Sequence, residues 1–327
     1  MIHRTQLAQR GAALLAAMLT VTLVASLAAA GLWRQWRNAE VEGAERMHLQ
    51  AQWVLTGALD WARLILREDA RSGGADHLAE PWAIPLEEAR LSTFLAADRS
   101  GSATDAEADD ASQVFLSGNI ADLQARMNVF NLVEGGKISD PDLKAFAKLF
   151  ELLGLPPTEL DLLASNLLQS QAIGTPAKPI SPLAPLPPQR VEHLAWLGLS
   201  APTLAALEPY IIWLPQRTTV NINTASVTVL YASSPRMDMA RAQALSNARK
   251  LSHFKTLDDA NKLIGSAADP LVDANHSVNS RYFLVKGRQR QDQTVVQQQS
   301  VVYRDGLDVK TLWRTNVAPP LGESALQ

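Results

Sequence analysis

The chain has 327 residues, 47% of them apolar, and 30 Lys and Arg set against 33 Asp and Glu leave a net charge of −3. That length supports one large domain or two smaller ones, and the charge gives no general attraction to nucleic acid. With no cysteine in the chain, disulfides, thiolate metal sites and cysteine catalysis are excluded.

Residues 1–10 are polar, with His3, Arg4 and Arg10 as basic groups. From Gly11 to Trp33 there is no charge, and the polar members are Thr20, Thr22 and Ser26. As a helix this run spans about 34 Å, enough for a hydrocarbon core of about 30 Å. Trp33 and Trp36, with Arg34 and Arg37, close it as interfacial anchors. Three readings compete. Ala28-Ala29-Ala30 fits a secretory cleavage site, with the cut before Gly31. The run also fits a plain signal anchor. In the third reading a pilin-type leader, residues 1–11, is cut between Gly11 and Ala12, and 12–33 remains as the transmembrane part of a longer helix. The third reading explains more, because Arg10-Gly11 sits directly before the apolar run. In addition Ala39, Met47, Ala51, Val54, Leu55, Ala58, Ala62 and Leu66 continue a helical spacing beyond the membrane with no proline before Pro81. Lys and Arg counts on the two sides do not settle the orientation.

The periodicity predicts one helix from about Ala12 to Ala70, ended by Gly73-Gly74. Residues 98–112 are rich in Asp, Ser and Ala; Asp105, Glu107, Asp109 and Asp110 offer an ion site there, although such a segment is ordinarily a solvated surface. Val114-Phe115-Leu116 and Ile120 to Val129 read as strands around a turn at Gly118-Asn119. After Asn131 the pattern becomes helical. Asp140-Pro141 reads as an N-cap with proline in the first turn, Leu143, Phe146, Ala147, Phe150 and Leu153 share a face, and Gly154 closes the helix. A second helix starts at Pro156-Pro157-Thr158 and buries Leu160, Leu163, Ala164 and Leu167. Thr175 to Pro188 holds six prolines and reads as an extended connector. Helices resume near Arg190, around Pro202–Leu207, from Ala225 to Ala232 and from Met237 to Leu251. Tyr282–Val285, Thr294–Tyr303 and Val309–Trp313 are strand-like, separated by Asp292 and Asp305-Gly306. The expected class is α+β: a long N-terminal helix and an antiparallel sheet, with a large all-α domain inserted into the sheet region. The expected divisions are 34–130 for the outer helix and first strands, 131–275 for the insertion, 276–315 for the last strands and 316–327 for a disordered tail.

Four stretches carry a family resemblance. They are Gln9-Arg10-Gly11 with the apolar run; Asp76-His77-Leu78-Ala79-Glu80-Pro81-Trp82-Ala83; Ile120-Ala121-Asp122-Leu123-Gln124 running to Asn128 and Asn131; and Val220-Asn221-Ile222-Asn223-Thr224-Ala225. In order and spacing they resemble minor pseudopilin K of type II secretion, over about residues 9–315. The resemblance implies a pilin-like helix and sheet split by a helical insertion. It also implies cleavage after Gly11 by prepilin peptidase and methylation of the new amine at Ala12. The expected function is non-enzymatic: initiating the pseudopilus from its tip, as a single-pass inner-membrane protein with a periplasmic body. The implied partners are minor pseudopilins I and J, with H as a further neighbour, and the inner-membrane assembly platform. Most pilin-like proteins carry Glu five residues into the mature chain, thought to pair with the amine of a neighbouring subunit; here the position is Ala16, and the first acidic residue is Glu40. An unpaired carboxylate in the bilayer costs about 2.5–3.5 kcal/mol on insertion scales. A subunit at the very tip has no preceding amine to meet, so Ala16 suits that place. The plainer reading is that alanine is a good membrane-helix residue.

Enzyme motifs are missing, and His3, His48, His77, His193, His253 and His276 are scattered. Asp76, His77 and Glu80 lie close in sequence; a turn braced between helix end and sheet is the expected role, ahead of metal or proton chemistry. Val220 to Ala225, followed by Leu230, Ala240, Leu245, Arg249, Phe254 and Leu257, resembles a helix-hairpin-helix of DNA receptors. Its turn, Ser234-Pro235-Arg236-Met237-Asp238, lacks the glycines that let backbone N–H groups reach phosphate, and Asp238 repels it. Arg241, Arg249 and Lys250 remain as possible phosphate contacts. A structural hairpin is expected, with Asn221 and Asn223 bracing the turn into a helix near Thr224. The pseudopilin resemblance also implies calcium held by an acidic cluster in the helical domain. The corresponding place, Ser165 to Gln169, has no carboxylate, so calcium is not expected there; Asp269 and Asp273 are the other candidates. A membrane-anchored DNA receptor and a type IV pilus tip subunit stand as the alternative functions.

Overall fold

The computed structural model describes residues 9–93, 114–171, 184–235, 237–265, 271–292 and 294–317. The acidic segment 98–112, most of the proline connector, Arg236, Asp269 and the tail beyond Val317 lie outside the described residues. The chain divides into two units, Met1–Thr56 and Gly57–Gln327.

Helix α1 runs from Gln9 to Ser72. In the first unit, residues 12–33 are exposed along their whole length, and this is the one helix among the described residues long and apolar enough to cross a membrane. Thr20 and Thr22 turn their hydroxyls back to the carbonyls of Ala17 and Leu19, at 2.9 and 3.0 Å. That removes the polarity a hydroxyl would otherwise bring into hydrocarbon. In the second unit, Leu59, Ala62 and Leu66 are buried at spacings of three and four. The helix stops where Gly73 and Gly74 take φ of +69° and +118°, a region that side-chain-bearing residues avoid, and the Gly73 N–H donates to Asp69 O at 3.1 Å.

Five strands form one antiparallel sheet: β1 (Leu86–Arg90), β2 (Val114–Asp122), β3 (Tyr282–Gln291), β4 (Thr294–Asp305) and β5 (Asp308–Val317). Their order across the sheet is their order in the chain. Leu59, Ala62 and Leu66 pack with Trp82, Ile120, Phe283, Val285, Val302 and Val309 to form its core. Gly118-Asn119 is not a turn. β2 is continuous, with Gly118 opposite Gly287 and Asn119 opposite Lys286. The glycine serves close approach instead, since a Cβ there would lie 2.5 Å from Lys286 O. Nor does a strand reach Val129. β2 ends at Asp122, whose carboxylate accepts from Gln124 N and turns the chain into a 3₁₀ segment. The hairpins at Asp292 and Gly306 are present, both with positive φ.

Everything between β2 and β3 is the insertion. Its helices are α2 (Asp140–Leu153), α3 (Pro157–Gln171), α4 (Ala201–Leu207), α5 (Val227–Ser233), α6 (Met239–Leu251) and α7 (Leu257–Ile264). A 3₁₀ stretch, Val191–Leu197, precedes α4. One apolar core serves them all, including Phe146, Leu149, Phe150, Leu163, Leu167 and Leu230. Three local expectations are corrected. Ser139, not Asp140, is the N-cap of α2, and its hydroxyl bonds Asp142 at 2.5 Å. Ala147 faces solvent while Ala145 and Leu149 face the core. The helix expected from Ala225 starts at Val227, because the Ser226 hydroxyl caps it through Val229 N.

Candidate functional site

Two places in the chain hold the residues singled out from sequence. The first is the start of α1. Gly11 lies within the helix, and Ala12 and Ala16 are exposed on it. No acidic side chain follows on α1 before Glu40.

The second is a joint where three remote stretches meet: the turn after α1, the end of β2 and the segment Val220–Ala225. Asp76 opens the turn. Its N–H donates to Val278 O at 2.9 Å, and its Oδ2 accepts from Ser280 N at 2.6 Å. Arg304 of β4 lays Nη2 on both Asp76 oxygens, at 2.5 and 2.7 Å, and Nη1 on Asp69 at 2.6 Å. The same Nη2 reaches Ser280 O at 2.7 Å. Burial pushes the Asp76 carboxyl above its ordinary pKa while Arg304 and the Ser280 N–H pull it back. Burial disfavours the charged guanidinium too, yet the two carboxylates hold Arg304 above its ordinary value. The contacts of Arg304 with Asp76 and Asp69 have the geometry of ion pairs. Glu80 accepts from His77 N at 2.7 Å and from Trp82 Nε1 at 2.8 Å, which fixes the turn against the sheet core. The His77 ring stacks on His253 of the insertion, 3.8 Å between centroids and 11° between planes.

Asn221 and Asp122 complete the joint. Both are buried. Asn221 Nδ2 donates to Ser280 Oγ, Asp76 O and Asp122 Oδ2 at 2.9 to 3.2 Å. Its Oδ1 accepts from Asn223 N at 2.9 Å. Asn223 clamps Phe254 through both amide atoms, each at 2.9 Å. Asp122 Oδ2 also accepts the hydroxyls of Ser280 and Thr224 at 2.6 Å, and Oδ1 accepts Gln124 N at 2.7 Å. Burial raises the Asp122 pKa to about 6 against these hydrogen bonds. Sequence reading singled out Asp76, His77, Glu80, Asn221 and Asn223 but gave no role to Asp69, Asp122, Thr224, Ser280 or Arg304. Asp122 and Thr224 lay inside the quoted stretches. Arg304, inside a strand, carried no local signal.

Asp69, Asp76 and Glu80 are the one group of carboxylates among the described residues close enough to share a metal ion, but the Arg304 cation already bonds two of them. At the corresponding calcium position, Ser165 bonds back to Asp161 O and Leu162 O, and Asn166 donates to Leu197 O at 3.0 Å. Asp273 is exposed. The α5–α6 hairpin points its carbonyls inward. Those of Tyr231, Ser234 and Met237 all accept from the Lys148 ammonium, which also sits over the Tyr231 ring. Arg249 donates to Ile222 O at 2.7 Å, and Arg241 pairs with Asp238. Two of the three cations considered for phosphate thus have partners within the chain.

A family model described as type II secretion system (T2SS), protein K, matches residues 220–279, the part of the insertion that carries Asn221 and Asn223. Type II secretion system protein K of Pseudomonas aeruginosa is 28% identical over 298 residues, which is 85% of this chain and 83% of the relative. A chain in the crystal structure of the GspK–GspI–GspJ complex from the enterotoxigenic Escherichia coli type 2 secretion system superposes with a TM-score of 0.61 at 17% identity. It covers 84% of this chain and 99% of that one.

Proposed function

We propose that this chain, a member of the type II secretion system protein K family, is a non-enzymatic minor pseudopilin that initiates the pseudopilus from its tip and so supports export of folded proteins across the outer membrane. The observation that carries this reading is extent: the likeness to protein K runs along 85% of the chain and includes the insertion between β2 and β3. Prepilin peptidase cuts between Gly11 and Ala12, and the new amine at Ala12 is methylated. Residues 12–33 stay in the inner membrane, and the sheet and insertion stand in the periplasm. Pseudopilins I and J, named in the structural neighbour, pack their helices beside α1, with H and the assembly platform below them. Ala16 leaves no carboxylate in search of a neighbour's amine, which suits the first subunit of a filament. The insertion would obstruct a further subunit above it, as a cap must.

Intact-mass analysis of the protein purified from membranes tests the anchor. The expected product begins at Ala12 and carries one methyl group. A product beginning at Gly31 would overturn the reading, because the helix would then have been discarded as a signal. Co-purification with pseudopilins I and J tests the assembly; a chain that begins at Ala12 and binds neither would be a pilin-like protein of another machine.

A further inference from the structure

We propose that Asp122 is a proton-operated latch that sets how firmly the helical insertion is held on the sheet. The geometry for it is complete. Asp122 is the last residue of β2, where the chain leaves the sheet. Its carboxylate bonds Gln124 at the start of the insertion, Asn221 and Thr224 in the middle, and Ser280 just before the chain returns as β3. One side chain thus ties the sheet to both ends of the insertion and to its interior.

Three donors converge on Oδ2 and one on Oδ1, so the ionised group is an acceptor at every contact. A proton on it turns one acceptor into a donor that faces another donor. The exchange available is local. Asp122 donates to Thr224 Oγ1, and the Thr224 hydroxyl turns to Asn221 O, already 3.4 Å away. Protons have a route as well. A solvent-open cleft of about 230 Å³ is lined by Asp69, Asp76, Glu80, Ser280 and Arg304, and the Ser280 hydroxyl leads from it to Asp122. Asp76 is the charged group facing Asp122 from the turn after α1, and it opposes ionisation; Arg304 of β4 lies beyond it, bonded to it. The groups of the insertion bonded to Asp122 are neutral: the Gln124 N–H, Asn221, Thr224 and the Ser280 hydroxyl.

The sign follows from burial. The folded chain holds this proton up to about pH 6, well above the ordinary carboxylate value. The latch is therefore tightest in acid and slackens as pH rises through about 6, where a buried charge must be sustained. The stacked pair across the joint works against it: burial and the neighbouring His77 hold His253 below its ordinary value, so acid loosens that contact.

The test is hydrogen exchange by mass spectrometry on the full chain in detergent, corrected for intrinsic rates, at pH 5 to 7.5. Protection across residues 220–225 and 278–282 is expected to fall by about 10-fold from pH 5 and to level off above about pH 6, where the carboxyl is ionised in the folded and unfolded chain alike. Asp122→Asn abolishes the step. Ser280→Ala and Thr224→Val each remove a donor that favours the charged form, and move the pH at which the fall levels off upward. A flat wild-type profile, or a step that survives Asp122→Asn, overturns the proposal. If Asp122→Asn does not fold, carboxyl carbon shifts of the folded wild-type chain decide: titration of Asp122 at the ordinary carboxylate value overturns it equally.

Discussion

Replacing Arg304 by methionine removes the cation from the joint and leaves its volume nearly filled. Two carboxylates then face each other across the space: Asp76, with 4% of its side chain exposed, and Asp69, with 10%. Breaking a buried pair in this way costs about 3–5 kcal/mol, because the uncompensated charge remains. The Ser280 carbonyl also loses its donor. Urea unfolding followed by tryptophan fluorescence suits the measurement, since Trp82 packs in the same core as Phe283, over which Arg304 lies. With slopes of about 1–3 kcal/mol/M, the midpoint should fall by more than about 1 M at pH 7. The loss must also depend on pH. Without Arg304 both carboxyls hold protons more strongly in the folded chain than in the unfolded one. The variant's deficit is therefore smallest near pH 4 and grows as pH rises through the raised folded values. Arg304→Lys, which keeps the charge but lacks the planar fork that spans Asp69 and Asp76, should fall between the two. A midpoint within 0.3 M of wild type, or a deficit that does not vary with pH, would refute the claim that this ion pair holds the turn to the sheet.

Two further outcomes are expected. Gly118→Ala places a methyl group 2.5 Å from Lys286 O and should destabilise the sheet by about 1–3 kcal/mol, read from the same unfolding curves; an unchanged midpoint would show that β2 and β3 can part without cost. Gly57→Leu should do the reverse to the isolated chain. Its Cβ meets nothing within 4 Å on an exposed turn that also carries Trp61 and Leu64, so the helix gains up to about 1 kcal/mol. Pull-down with pseudopilins I and J should nevertheless weaken, because a partner helix loses the room glycine leaves; undiminished capture would place the contact elsewhere on α1.

Much of the fold was legible because it is written in local patterns. The long helix, the two C-terminal hairpins and the paired helices α2 and α3 all follow from spacing, glycine and proline. Gly118-Asn119 was misread because the same two residues serve a turn and a close strand pairing equally well, and only the partner strand decides between them. The α2 face was misassigned at Ala147 because alanine carries too little apolar surface to mark a face. The joint was half legible. Asp76, Asn221 and Asn223 stood out inside recognisable stretches, but their partners Ser280 and Arg304 come from segments far along the chain, brought in by the sheet. No periodicity predicts such a meeting.

The order of the strands has a consequence for how the chain closes on itself. With β1 to β5 side by side in sequence order, the sheet is a plain meander, and its longest excursion leaves and returns between paired neighbours, Asp122 opposite Phe283. Bringing together the ends of a long unstructured loop costs entropy that grows with the logarithm of its length. Here the excursion carries its own closure. Gln124, just past β2, accepts from Arg281 N at 2.7 Å, and Val220 and Asn221 pair with His276 and Ser277, so the outgoing and returning chain are held beside each other from within the insertion. A folded insertion thus acts on the sheet as a short turn would, and its size can change without altering what β2 and β3 must do to meet.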